Sequence, residues 1–296
     1  MQETWDWDAW TEQLAGDPDE DLSEVLTKVK VHTRRITQVK WSKDWRTKAF
    51  CDLALHLLYQ HHLTNHSISS LSDELRIFRN LGPEDLMRHA SRMIPDADAA
   101  EKLDRQRWLD TWRFQAAFLE DLIAYLFRPG VVLRRVRDVH HALVALAPTL
   151  TLGELIREGT AAELQSTLEN PTVGLQTFIQ AALPRQPRIQ EAVHTIETIA
   201  LKEWADLYAA VFPAYGLQLR PGVSWLDMSK LFDTIIEGVL LKARTHEQVP
   251  CLSNGENMLA AGIFTLLPTL CDVKAERIES LTIRTPISWR PPPPHS

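Results

Sequence analysis

Cysteine is scarce in this chain of 296 residues. Cys51, Cys251 and Cys271 are odd in number, far apart and never spaced C-x-x-C. That pattern speaks against a disulfide framework and leaves three reduced thiols, as expected of a cytoplasmic protein. Long hydrophobic runs are missing as well. No apolar stretch approaches the roughly 20 residues that a membrane span needs, so no membrane partner is expected. The acidic, tryptophan-bearing N-terminus has neither the basic start nor the apolar centre of a signal peptide. Long alternating runs of β-branched residues are absent, which argues against a sheet. Enzyme signatures are absent too: G-x-S-x-G, the P-loop, G-x-G-x-x-G and H-E-x-x-H do not occur. Neither catalysis nor a cofactor is therefore expected.

What is present reads as a folded protein, with 45% hydrophobic and 24% charged residues. The net charge of −7 conceals an uneven distribution. The first 24 residues hold nine acids (Glu3, Asp6, Asp8, Glu12, Asp17, Asp19, Glu20, Asp21 and Glu24) and no Lys or Arg. Residues 25–48 then hold eight bases (Lys28, Lys30, Arg34, Arg35, Lys40, Lys43, Arg46 and Lys48) against Asp44 alone. A mean charge is therefore no veto on a polyanionic partner.

Apolar residues recur at three- and four-residue spacings through 46–63, 106–127, 187–212, 225–246 and 256–271, each reading as a helix with one apolar face. Breakers separate them: Gly16-Asp17-Pro18, Gly82-Pro83, Arg128-Pro129-Gly130, Pro148, Asn170-Pro171, Arg220-Pro221-Gly222 and Ser253-Asn254-Gly255 among others. Ser69 to Ser72, Ser224 and Asn254 stand where helix caps are wanted. The end of the chain, Trp289-Arg290 followed by Pro291 to Pro294, cannot continue a helix and is expected extended as polyproline II or disordered. The fold class expected is all-α.

The N-terminal segment carries the sharpest chemistry. Trp5, Trp7, Trp10 and Leu14 fit a short amphipathic helix over 5–15, and Leu22, Val25, Leu26 and Val29 repeat at i, i+3, i+4 and i+7. The tripeptide Lys30-Val31-His32 reads as a tight turn. Thr33 to Lys40 then form a second helix whose exposed face carries Arg34, Arg35 and Gln38. Arginine can bond guanine bidentately and glutamine adenine, so this helix is expected to read bases, with Thr33 beside it and Lys40, Lys43 and Arg46 on phosphates.

These residues resemble the TetR/AcrR family of bacterial repressors. Gly16 stands for the glycine after the family's first helix. Leu22, Val25, Leu26, Val29, Lys30, Val31 and His32 take the places of the V, I, A, A, G, V and S of its helix-turn-helix. Arg35-Ile36-Thr37 fall on T-L-Y and Ser42-Lys43 on S-K, while Lys30, Leu26 and Thr37 depart from the family's residues. The resemblance extends through Thr149 to Thr160, Asn170-Pro171, Trp204, Tyr208, Gly216 to Gly222 and Leu231 to Leu240. It implies a TetR-like helical bundle and a ligand-responsive repressor of double-stranded DNA bearing a palindromic operator. The implied homodimer pairs through 225–246 and 256–271. Small residues there (Gly238, Ala260, Ala261 and Gly262) allow close helix approach. A small apolar effector would lie between helices lined by Phe178, Trp204, Tyr208, Phe212 and Phe232.

The expected organisation is a helix-turn-helix domain over 1–50, extra helices over 51–147, an effector and dimerisation domain over 148–275 and a tail over 276–296. Gly130 with Val136-Arg-Asp-Val139 echoes Gly16 with Leu22-Ser-Glu-Val25, and Ser67 to Leu71 before Gly82 to His89 gives a second fragment of that kind. The middle is therefore either a decayed second helix-turn-helix or simple additional helices. The cluster His56, His61, His62 and His66 lacks accompanying Glu or Cys ligands and reads as a polar helix end, not a metal site. The alternative to a repressor is a helical interaction protein that keeps the fold without binding DNA.

Overall fold

The computed structural model describes residues 6–14, 20–64, 77–246 and 248–287. Among these the chain is all-α. Two isolated bridges, Leu219 with Cys271 and Cys251 with Asn257, are the only extended pairings among the described residues. It divides into two compact units. The first takes the chain up to Val131 together with Pro171–His194, and the second takes Val132–Asn170 and everything from Thr195. The expected divisions at 50 and 147 differ from the three points where the chain passes between these units.

In the first unit, α1 (Trp7–Gln13), α2 (Leu22–Val25) and α3 (Arg35–Ser42) precede α4 (Trp45–Tyr59), which widens into a π-turn over Gln60–Thr64. Next come α5 (Pro83–Met93), α6 (Ala97–Glu101), α7 (Arg105–Trp112) and α8 (Gln115–Leu126). α9 (Pro129–Leu146) starts here, and α11 (Pro171–Ala182) belongs here entirely. Aspartates open five of the short helices, because a carboxylate at the N-cap accepts the orphan amides of the first turn. Asp6, Asp21, Asp44, Asp96 and Asp104 each accept at least one such N–H.

Helix α4 is buried nearly all round: Phe50, Cys51, Leu53, Ala54, Leu55 and Leu58 are core residues. Its buried carboxylate is satisfied internally. Asp52 accepts from the Tyr125 hydroxyl and the Lys48 ammonium, each at 2.8 Å, while the Trp10 indole N–H donates to the Asp52 carbonyl at 3.1 Å. Arg128 is equally buried. It donates to Glu20 at 3.0 Å and to the carbonyls of Tyr125 and Leu14, and it lies over the Tyr125 ring. Gly130 makes room for this pair, since a Cβ there would stand 2.5 Å from the Glu20 carboxyl carbon.

The pattern over 106–127 predicts one helix, and the chain makes two. Arg113 adopts φ +66°, so α7 ends and α8 restarts two residues later. Likewise α9 runs without interruption through Val136–Val139 and leaves no turn for a second helix-turn-helix at that point. Ser67–Leu71 lies outside the described residues.

The second unit holds α10 (Leu152–Glu169), α13 (Trp225–His246), α14 (Met258–Leu270) and α15 (Ala275–Ile278), with α9 from Val132 and α12 (Pro187–Ala214) from Thr195. Thr151 and Glu154 close a capping box on α10, and Ser224 and Asp227 exchange the same two bonds at the start of α13. The expected cap Asn254 yields to Asn257, whose side chain accepts from the Ala260 amide at 2.8 Å. Gly153 admits the chain at Glu279, where a Cβ would meet its Cα at 2.8 Å. The core joins Leu155, Ile156 and Leu164 of α10 to Leu207, Phe212, Met228, Phe232, Val239, Ile263 and Leu267.

Candidate nucleic-acid interface and aromatic cluster

The basic segment folds as a short helix, a long turn and a second helix. α2 stops at Val25 instead of Val29, and Leu26 and Val29 turn inward to complete burial. Lys30 adopts the left-handed conformation, φ +49°. A non-glycine residue there is strained unless its surroundings hold it. Here its N–H donates to the Thr111 carbonyl at 2.8 Å, and its own carbonyl accepts from the Thr33 amide (2.8 Å) and hydroxyl (2.7 Å). Its ammonium sits 4.2 Å from the Trp41 ring centre, and the Arg107 guanidinium 3.5 Å from that same centre.

Thr33 and Arg34 thus precede α3: Thr33 closes the turn and Arg34 occupies the cap position. Of the expected DNA contacts, only Arg35, Gln38 and Lys40 lie on α3 itself. Arg34, Arg35 and Lys40 are exposed, but Gln38 is half-buried and donates to the Lys30 carbonyl at 3.4 Å. Ile36 is 78% exposed, projecting among these bases where an apolar contact with a thymine methyl becomes possible. Val31 and Trp45 of the same segment are also exposed.

Several of these cations are already engaged. Arg35 pairs with Glu24, and Lys43 with Asp21 at 3.4 Å. Hydrogen bonds from Ser23, joined by Lys43, hold the Asp21 carboxyl below its usual range. Arg46 grips Asp44 through two bonds of 2.9 and 3.0 Å while Arg107 reaches the same carboxylate at 2.7 Å, and these partners lower its pKa. Arg34 and Lys40 have no ion pair among the described residues. Two of the N-terminal acids, Asp21 and Glu24, lie directly against the basic pair.

In the second unit, Trp204, Tyr208 and Phe212 stack along α12, with ring centres 5.7 and 5.3 Å apart. Phe232 meets Tyr208 edge-on at 5.5 Å, and His140 meets Trp204 edge-on at 4.8 Å. Burial lowers the His140 pKa to about 3 and raises that of the Tyr208 phenol. Phe178 belongs to the first unit, stacked on His62 at 4.8 Å, so the expected five-membered lining loses that member. His56 bonds to His89, and His66 lies outside the described residues.

Charged groups that the sequence reading passed over sit beside the aromatic rings. Arg135 of α9 donates to Glu163 of α10 at 2.6 Å and to Thr167 at 2.9 Å. Asp233 of α13 has its pKa raised to about 6, by burial first and then by Glu237 and Glu197. The one signal in the sequence was phase. Ile156, Thr160, Glu163 and Thr167 recur at helical spacing, so Glu163 falls on the face that packs inward. Comparison with protein-family models, with curated proteins and with solved structures finds no match.

Proposed function

We propose that the chain is a ligand-responsive, DNA-binding transcriptional regulator of the TetR type, most simply a repressor. One observation carries this reading. The segment from α2 to α3 turns through a left-handed Lys30 at the position of the family's glycine, leaving Arg34, Ile36 and Lys40 outward on and beside α3. Phosphate contacts from Lys40 and Arg34 would orient the helix, and base-edge contacts near Arg35 and Ile36 would select sequence.

A palindromic operator calls for a two-fold dimer. In support, the outer face of α13 carries Leu231, Thr234, Gly238, Leu241 and Thr245 at alternating three- and four-residue steps. The first four of these are symmetric about Ile236, so an antiparallel copy would set Leu231 against Leu241 and Thr234 against Gly238. A Cβ on Gly238 would meet nothing within 4 Å, which leaves the face open to a second helix.

Fluorescence-anisotropy titration with DNA flanking the gene tests the reading. Binding should weaken linearly in log Kd against log salt concentration as counterions return. Absent or salt-insensitive binding would overturn it. The second reading, a helical interaction protein without DNA binding, is favoured by the internal pairs Arg35–Glu24, Lys43–Asp21 and Arg46–Asp44, which already occupy three of the expected contacts.

A further inference from the structure

Within the second unit a buried carboxylate is only half used. One oxygen of Glu163 receives Arg135 and the Thr167 hydroxyl, at 2.6 and 3.2 Å. The other, Oε2, is buried with no hydrogen-bond partner, on a side chain that keeps only 8% of its surface. A buried carboxylate oxygen without a donor is costly, and such an atom ordinarily has a partner. Arg135 reaches Oε1 and Thr167 through Nη1 and makes no bond to Oε2.

The surroundings say what kind of donor is missing. Asp233 of α13 approaches from the facing helix, with Glu237 on its own helix and Glu197 on α12. Arg135 is the single cation among the groups that most affect Asp233. Glu163 and Asp233 are also the two charges felt most by the Tyr208 phenol, so the carboxylates and the ring share one neighbourhood. Tyr208 has Trp204 and Phe232 at its sides and retains accessible surface of its own. Paired carboxylates beside aromatic faces favour an ammonium attached to an apolar body: the charge pairs with oxygen and the rings add cation–π attraction.

We propose that this seam between α9, α10, α12 and α13 binds an organic ammonium ion, its N–H groups on Glu163 Oε2 and the Asp233 carboxylate and its apolar body on Tyr208, Trp204 and Phe232. The inference rests on the regulator reading only in naming the ligand an effector. As a binding site it stands independently. Alkyl carboxylates and neutral apolar molecules of the same shape are the ligands it disfavours.

The test is a charge series on one hydrocarbon body, added to the full chain and followed by tryptophan fluorescence: 1-naphthylmethylammonium, 1-naphthylmethanol and 1-naphthylacetate. The ammonium should bind saturably, about tenfold or more tighter than the alcohol, with the carboxylate weakest; one charged contact commonly supplies a factor of that size. Glu163→Gln should cancel the ammonium's advantage while leaving alcohol binding in place. Because Glu163→Gln also disturbs the Arg135 pair, Asp233→Asn serves as the second variant, and it should weaken the ammonium with no fall in melting temperature, since burial already disfavours the charge that it removes. Affinity should also fall as pH drops through about 6, where Asp233, facing Glu237, Glu197, Arg135 and Glu163, takes up its proton. Equal affinities across the series, or variants that bind the ammonium unchanged, would overturn the site. A DNA-anisotropy measurement on the same samples keeps the two readings apart. Ammonium binding without DNA release removes the effector role and leaves the site standing. DNA binding without ammonium binding does the reverse.

Discussion

His56 Nδ1 lies 2.7 Å from His89 Nε2, joining α4 to α5 inside the first unit. The rings are nearly parallel, 4.9 Å between centres, and the Trp10 indole meets His56 edge-on at 4.7 Å. Burial lowers the His56 pKa to about 3 and the His89 pKa to about 4, with Arg92 and His61 adding to the effect on His89. Only one proton fits between two nitrogens, so the pair is built for neutral imidazoles.

Acid should therefore loosen the first unit. Both imidazoles take up protons near 6.5 when unfolded and far lower when folded, so the stability they contribute is complete above 6.5. It is lost as pH falls towards about 4, at roughly 1.4 kcal/mol per pH unit for each histidine. Asp121, raised to about 7 by burial, works in the opposite direction throughout this window, but it is one group against two. Urea denaturation at pH 7.5, 6.0 and 5.0 should show the midpoint falling, with a shallower fall in His89→Asn. A pH-independent midpoint would show that the pair does not stay neutral.

Glu20→Gln should destabilise the first unit by about 3 kcal/mol or more, because it strips the countercharge from a buried guanidinium. Gly130→Ala should be comparably damaging, since its methyl would displace the Glu20 carboxylate. Thermal melts followed by circular dichroism measure both. A loss under about 1 kcal/mol for Glu20→Gln would mean Arg128 is satisfied by the Tyr125 and Leu14 carbonyls alone.

Arg34→Ala and Lys40→Ala should each lower the salt slope of DNA binding by about 1 and weaken all sequences alike. Arg35→Ala should weaken a preferred sequence more than a random one. Its effect should be smaller than for an unpaired arginine, because Glu24 already holds the guanidinium. Glu24→Gln should tighten binding by releasing it. Anisotropy titrations at several salt concentrations separate these outcomes, and tighter binding is the result that sequence charge alone does not anticipate.

Gly238→Arg should convert a dimer to a monomer without loss of helix. The site is open, so the side chain clashes with nothing inside the unit, and glycine is the weaker helix former by about 1 kcal/mol. Light scattering together with the melting temperature decides it. A dimer that survives the substitution places its interface away from α13.

Much of the helical plan was legible in the chain. The stripe over 225–246 became α13 with those same bounds, and 256–271 became α14 with slightly tighter ends, because an apolar face repeated at helical spacing can be buried in only one way. The breaks were less legible. Arg113 bends the chain with positive φ inside a pattern that predicts one helix, and although a turn is expected at Lys30, the contacts that hold its left-handed backbone come from Thr111 and Trp41. The aromatic cluster was legible in Trp204, Tyr208, Phe212 and Phe232, all on helices that meet. Phe178 has the same apolar periodicity but belongs to a helix that packs in the other unit.

The sequence by itself determined where helices form and which of their faces are apolar, since both follow from neighbours within a few residues. It also displayed the acidic start and the basic stretch after it. Only the tertiary structure decided what those charges do. Asp6 and Asp21 cap helices, Glu20 neutralises the buried Arg128, and Glu24 and Asp21 hold Arg35 and Lys43. Coulomb attraction and desolvation depend on distance through space, and residues 20 and 128 become neighbours only when the helices pack.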